Sequence, residues 1–524
     1  MNTDGALVWS RSLPLPSTHL SLSIMSQPLI SIHRGVARHP QYRLAAPYDF
    51  SIAPRQHTVI YGPNGSGKTM LAQQISGARA LLGDAYRTHF AATTEGPLRL
   101  SECIRCISFR SVYGGAEPAY YQQRWNRADE QPFPSVAELL QRSRAAADHE
   151  PDAEVEQWVE ATGILAHLDK PINLLSSGEL RRLQTARMLY TRPQLLVIDN
   201  PYIGLDKEAR ATFARLLRQL AERLTLIVVV SRIDDIPPFT RQVVSMDCGH
   251  VVATEPYADF MARATTCEAT AVARVQAQPV SLPPCPSQWA ARHEEAATEK
   301  AAIVAHFDHV SVCYDGHYLL RDIDWQVKRG EHWALTGPNG AGKSTLLSLV
   351  CADNPQAYAT PITLFGHRRG SGESIWDIKK HIGYVAPELF TTYHKSLPAI
   401  DIAASGLHDT IGLYKRVTDS ERDHCRRWLQ TFGCGHLANR DYLSLSEGEQ
   451  RLILLVRAFV KHPSLLILDE PFHGLDAAHR ALARAVIEAY MQQADKTLIM
   501  VTHYPEELPP CIDHHLRLER AVLS

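Results

Sequence analysis

The chain has 524 residues, of which 45% are hydrophobic and 21% charged, and its formal net charge is −2. That length and composition predict two to four domains with ordinary globular cores, and the near-neutral balance gives no strong nucleic-acid signal. No apolar run approaches the ~20 residues that cross a bilayer, so the sequence offers no membrane span of its own. The ten cysteines are scattered. Cys103 and Cys106 form a lone C-x-x-C without a second pair at zinc-ligand spacing, which points to reduced, mostly structural thiols in a cytosolic protein.

Residues 1–28 hold Leu and Ser but no basic start followed by a sustained apolar run. They read as a flexible leader rather than a signal peptide, with Met25 as an alternative start. Strand-like LISI (29–32) and YDFSI (48–52) follow, and then HTVIYG (57–62) enters Gly62-Pro63-Asn64-Gly65-Ser66-Gly67-Lys68-Thr69. This octet fits the phosphate-binding pattern G-x-x-x-x-G-K-[ST], and TMLAQQISG (69–77) leaves it as a helix. Strand, glycine loop and helix together are the context that gives the pattern meaning. A helix-rich insert follows, with SVAELLQRSRAAA (135–147) and VEQWVEATGIL (155–165). Then come LSSGE (175–179) and an apolar strand ending in an acid, LLVID (195–199), followed by Asn200.

The joining stretch 263–299 is rich in Ala, Thr, Val and Gln and holds Pro279, Pro283, Pro284 and Pro286. It predicts an extended linker rather than a long charged helix pair. The order then repeats. FDHVSVCY (307–314), RDIDWQV (321–327) and WALTG (333–337) lead into Gly337-Pro338-Asn339-Gly340-Ala341-Gly342-Lys343-Ser344 and the helix STLLSLVCA (344–352). The insert here includes SERDHCRRWLQTFG (420–433), and LSEGE (445–449) and LLILD (465–469) come after it. The copies have nearly equal internal lengths, as an internal duplication requires. Their acids continue differently: Asp199-Asn200 in one, Asp469-Glu470 in the other.

The chemistry follows from these residue types. Backbone N–H groups of a glycine loop, opening onto a helix N-terminus, form a positive concavity for phosphate. Lys68 and Lys343 reach β/γ-oxygens of ATP, the Thr69 and Ser344 hydroxyls bind Mg²⁺, and Asp199 and Asp469 hold the same ion through water.

Over nearly its whole length the chain resembles the ABC-type ATPases. The resemblance implies an α/β fold of two tandem P-loop ABC ATPase domains. Each would have a RecA-like mixed-sheet core, an antiparallel β-subdomain and a helical insert, spanning residues 29–262 and 301–524 with a linker at 263–300. It further implies that the signature motif of each module closes over ATP held by the other, with two ATP at an intramolecular interface. Ser176 and Gly178 match one signature, Ser446 and Gly448 the other. Ser177 and Glu447 fill the variable position, and Glu179 and Glu449 stand where Gln is typical, where a carboxylate repels phosphate unless hydrogen-bonded outward. Asp206 and Asp476 match the aspartate at the seam.

The same resemblance gives Glu470 the role of polarising the attacking water and His503 that of contacting the γ-phosphate. The first copy has Asn200 and Ser231-Arg232 at those places; asparagine accepts no proton, and Arg232 could bind phosphate without assisting the attack. The expectation is hydrolysis at Lys343, Ser344, Asp469, Glu470 and His503 with Ser176 and Gly178. Lys68, Thr69 and Asp199 with Ser446 and Gly448 are expected to bind ATP and turn over poorly. Tyr314 occupies the place of the adenine-stacking aromatic, and His39 is its counterpart. The glutamine that usually follows the next strand is missing, with Glu388 near its place in one copy and Gln122 and Gln123 further on in the other.

Other features have plain readings. His514-His515 read as surface residues, AYYQQRW (119–125) as a loop on the helical insert, and Arg181, Arg182 and Arg451 as the lining of a helix face. LSSGELRRL (175–183), IDNPYIGLD (198–206), SGESIWDIKKHIGYVAPEL (371–389) and LDEPFHGLD (468–476) are similar to the tandem ATPases associated with molybdate systems, the ModF or photorepair type. Three functions remain open: the cytoplasmic energy-coupling subunit of an importer, peripheral to the membrane through an integral-membrane permease; a soluble ribosome-associated ATPase; and a regulatory or repair ATPase. The Pro- and Ala-rich joint argues against the second.

Overall fold

The computed structural model describes residues 27–90, 100–108, 133–147, 152–172, 175–277, 279–286, 302–314, 317–387, 389, 393, 395–413 and 415–519. The first strands obey the two-residue alternation of a half-buried sheet. In β2 (Tyr48–Ile52), paired antiparallel with β1 (Ile30–Gly35), Tyr48, Phe50 and Ile52 face inward while Asp49 and Ser51 face out. β3 (Thr58–Tyr61) runs into the first glycine loop, and Gly67, at φ 92°, turns the chain into helix α1 (Lys68–Ile75). β4 (Tyr86–Thr88) completes a three-stranded sheet in the order β2-β1-β4.

β5 (Ile104–Ser108) is followed by the insert helices α2 (Val136–Ala145) and α3 (Ala153–Ala161), then α4 (Ser177–Leu189), β6 (Leu195–Asp199), α5 (Lys207–Ala221), β7 (Thr225–Val230), β8 (Gln242–Asp247) and β9 (His250–Pro256). These strands form a six-stranded sheet, β5-β6-β7-β3-β8-β9, parallel except for its last pair. Every residue of β6 and β7 is buried, as expected of parallel strands covered on both faces.

The expected extended joint is partly corrected. Helix α6 (Tyr257–Gln276) takes in residues 263–276. Its alanine content favours helix, and the first proline of the joint comes only at Pro279. Beyond it, Val280 and Leu282 pack on the core of the second half.

The second half repeats the plan. The long hairpin β10 (Ile303–Tyr314) and β11 (His317–Lys328) precedes β12 (His332–Thr336) and helix α7 (Lys343–Val350). With β13 (Ile362–Leu364) and β14 (His367–Arg368) the hairpin makes a four-stranded antiparallel sheet, β11-β10-β13-β14. β15 (Ile382–Val385), α8 (Ala399–Ser405), α9 (Asp419–Thr431), α10 (Glu447–Phe459), β16 (Leu465–Asp469), α11 (Ala477–Met491), β17 (Thr497–Val501) and β18 (His514–Arg517) follow. The parallel sheet is β15-β16-β17-β12-β18. α6 of the first half packs along α11 of the second. Among the described residues no helix is long and apolar enough to cross a membrane.

In both halves the glycine-loop strand and the acid strand flank one central strand, so their carboxyl ends share a crevice, the place where open parallel sheets bind ligands. α9 and α10 lock the second insert through Trp428, fully buried among Phe432, Phe459 and Tyr490. Trp428→Ala should cost about 3–5 kcal/mol of stability, read as a lower denaturation midpoint.

Candidate active site at the seam between the halves

The glycine loops hold their lysines in the same way. Lys68 Nζ donates to the Gly62 and Pro63 carbonyls at 2.8 and 2.6 Å, and Lys343 Nζ to those of Gly337 and Pro338 at 2.7 and 2.9 Å. Burial pulls Lys68 down to about 8, against the charges of Asp199, Asp476 and Glu449. Lys343 is also lowered by burial, with Asp469, Glu470 and Asp206 opposing. Thr69 Oγ1 donates to Asp199 Oδ2 at 2.8 Å, which brings the hydroxyl and the acid of the first loop together. Ser344 and Asp469 line one cavity. Hydroxyl and carboxylate are hard oxygen donors that fit Mg²⁺.

The two loops face different surroundings. The Asn64 backbone N–H donates to Asp476 Oδ2 at 3.0 Å, and Asn64 Nδ2 to the Gly474 carbonyl at 2.9 Å. A Cβ on Gly448 would lie 1.9 Å from Asn64 Nδ2, so only glycine permits this approach. A Cβ on Gly65 would meet Glu449 Oε1 at 2.7 Å. The second signature, with Ser446 capping α10, is thus pressed on the first loop. Around the second loop, Asp206 of the first half acts on Lys343 as Asp476 acts on Lys68, but Gly178 is not pressed on the loop as Gly448 is. A Cβ on Gly178 would meet Ala209 and Leu205 of its own half, and one on Gly340 would meet nothing within 4 Å. The second loop instead borders a cavity of about 220 Å³ lined by Asn339, Lys343, Ser344, Asp469, Glu470 and His503 among others.

Glu470 and Asn200 follow their acid strands in the same left-handed backbone conformation, φ 49° and 52°. Their surroundings differ. His503 Nε2 lies 3.1 Å from Glu470 Oε1, and His473 Nδ1 lies 2.9 Å from Oε2. Burial acts to raise the Glu470 carboxyl, but the hydrogen bonds from His473 and His503 outweigh it and hold the group well below its ordinary range. A carboxylate kept ionised beside a histidine and the glycine-loop lysine can accept a proton from water. Asparagine cannot.

Several expectations need correction. Arg232 is turned to Glu507 of the second half, at 3.4 Å, rather than toward the phosphate loop, because that buried carboxylate draws a counter-charge. Arg181 and Arg451 do more than line a helix face: both are buried. Arg181 donates to the Asn200 and Pro201 carbonyls, and Arg451 to the Glu470 carbonyl at 3.1 Å. Each thereby ties a signature helix to the end of its acid strand. Glu179 is not aimed at phosphate. Its carboxylate closes a capping box on α4, accepting from the Ser176 N–H at 2.7 Å and from Lys170 at 2.8 Å. Glu449 closes the equivalent box on α10 and in addition reaches Gly65. The S-x-x-E spacing is a capping-box signal, legible in both signatures.

His39 is exposed and caps the short turn Pro40–Tyr42. Tyr314 ends β10, and its side chain, with Glu388, Gln122, Gln123 and residues 119–125, lies outside the described residues. Sequence reasoning missed His473, whose part emerges only where the halves meet.

Paired glycine loops, acid strands and signature helices across a seam define a tandem ATP-binding cassette protein. The chain belongs to the ABC transporter family, whose model matches residues 46–203 and 320–473. It is therefore an ATPase. It is 37% identical over 465 residues to the ABC transporter ATP-binding protein ModF of Escherichia coli K12, covering 87% of this chain and 89% of that protein. It is 27% identical to an ABC transporter ATP-binding protein of Schizosaccharomyces pombe, covering 93% and 96%. A solved structure titled RNase-L Inhibitor is similar with a TM-score of 0.46 at 18% identity, covering 91% of this chain and 85% of that one.

Asp476 caps α11 through the His479 N–H and also holds Asn64 across the seam. Burial would raise its carboxyl, but His479 and the Asn64 N–H bring it down to about 2. A depressed carboxyl contributes stability above its unfolded value of about 3.9 and loses it as pH falls toward about 2. Asp476→Ala should therefore cost about 0.5–2 kcal/mol at neutral pH, and its Tm deficit should shrink between about pH 4 and pH 2.

Proposed function

We propose that the chain hydrolyses Mg²⁺-ATP mainly at the site of Lys343, Ser344, Asp469, Glu470 and His503, completed by Ser176 and Gly178 when the halves close. The observation that carries this reading is the Glu470 carboxylate clamped by two histidines beside the Lys343 loop, against Asn200 and an Arg232 engaged with Glu507 at the other site. The first site, Lys68, Thr69 and Asp199 with Ser446 and Gly448, retains ATP with little turnover and acts as the standing seam. Asp206 and Asp476 join the two sites, and Tyr314 stacks on adenine in the second. Residues 29–262 and 301–524 form the two cassettes, with 263–300 joining them.

The load is membrane transport of a small oxyanion of the molybdate class. The chain acts as the cytoplasmic energy-coupling subunit beneath an integral-membrane permease. Support comes from the 37% identity to the E. coli protein named ModF. Two measurements test the proposal. Glu470→Gln should lower kcat about 10²–10⁴-fold, while Asn200→Ala should change it less than about twofold; activity near wild type in Glu470→Gln sinks the assignment. Capture of Glu470→Gln with ATP and Mg²⁺ from detergent extract should recover a multi-span permease. Recovery of ribosomal subunits or DNA-bound proteins instead would replace transport with a soluble role.

A further inference from the structure

His473 sits between the proposed base and the opposite half. Its Nδ1 is 2.9 Å from Glu470 Oε2. On its other side the Gly204 backbone N–H lies 2.6 Å from Nε2 and 3.0 Å from Nδ1. Nδ1 already serves the carboxylate, so the N–H belongs to Nε2. A backbone N–H can only donate. Nε2 must then present its lone pair, and Nδ1 must carry the proton that goes to Glu470. The Gly204 peptide thus selects the imidazole tautomer that steadies the carboxylate, in the way that one ring nitrogen's partner fixes the role of the other.

The mirror position has none of this. In the first half the residue before Gly204 is Ile203, as His473 precedes Gly474 in the second. A Cβ on Gly474 would lie 3.6 Å from Ile203 Cδ1, and one on Gly204 would lie 3.7 Å from His473 Cε1. The packing is the same on both sides of the pseudo-twofold seam. Only the side with a glutamate carries an imidazole, and the side with Asn200 carries an alkyl group that hydrogen-bonds nothing.

We propose that His473 is a positioning residue that orients the Glu470 carboxylate and makes that orientation depend on the Gly204 peptide of the opposite half. The base is then set only while the two halves are in register at this seam. The inference rests on Glu470 being the base and goes beyond it, since it names what couples the base to the partner half.

The test uses the full chain and steady-state ATP hydrolysis. His473→Ile, which copies the mirror side, should lower kcat about 10–100-fold with KM for ATP within about twofold. His473→Gln, whose amide can accept from Gly204 and donate to Glu470, should recover to within about fivefold of wild type. Gly204→Ala opposes its left-handed φ of 69° and should lower kcat in the same way. The double variant His473→Ile/Gly204→Ala should be no slower than the slower single one, as for two groups acting through one contact.

A kcat within twofold of wild type for His473→Ile, with Glu470→Gln inactive, overturns this inference and leaves the base assignment standing. So does a loss shared between kcat and KM that His473→Gln fails to rescue, which is the mark of a packing role. Multiplying single effects overturn the tie to Gly204. Glu470→Gln near wild type removes the base and this inference together.

Discussion

The contact of Asn64 with the second signature and with Asp476 is the constraint on which the rest of the molecule depends. One carboxylate accepts the Asn64 N–H and caps α11, and Gly448 leaves no side chain between the α10 N-terminus and the first glycine loop. Two helix N-termini, those of α1 and α10, therefore converge on one loop, each with N–H groups that favour an anion. Lys68 lies beneath them with Asp199, Asp476 and Glu449 sustaining its charge against burial. Any widening of the seam leaves that lysine and those acids with fewer partners in a poorly solvated place.

Around this contact the fold is duplicated while the chemistry is not. The glycine loops, lysine bonds, capping boxes and left-handed residues after the acid strands recur in both halves. Among the side chains that differ, Glu470, His473 and His503 on one side stand against Asn200, Ile203 and Ser231 on the other. The scaffold fixes where a group is presented, and the side chain fixes what it can do there. The same division explains Arg181 and Arg451, which hold equivalent backbone carbonyls although only one of those carbonyls belongs to a carboxylate-bearing residue.

Much of the fold was legible because the signals are local. Alternation marked β2, unbroken apolar runs marked β6 and β16, and glycine loops marked the starts of α1 and α7. The joint's prolines predict an extended chain, but they begin only after α6 ends, and the alanines before them favour helix. The charge of the signature glutamates predicts repulsion of phosphate, whereas their S-x-x-E spacing is the local pattern that accounts for Glu179. The position of Arg232 in the chain is compatible with binding phosphate, and no local pattern points to Glu507, which meets it from the far end of the sequence.

The sequence by itself determined that two P-loop cassettes exist, where their glycine loops lie, and that one acid strand lacks its glutamate. These depend on residue type at fixed short spacing, and short spacing survives without a fold. Tertiary structure alone decided that the second signature presses on the first loop through Gly448 and Asn64, and that His473 bridges Glu470 and Gly204. Both are contacts between distant parts of the chain, set by how the two halves pack, and packing across a seam leaves no periodicity for the sequence to carry.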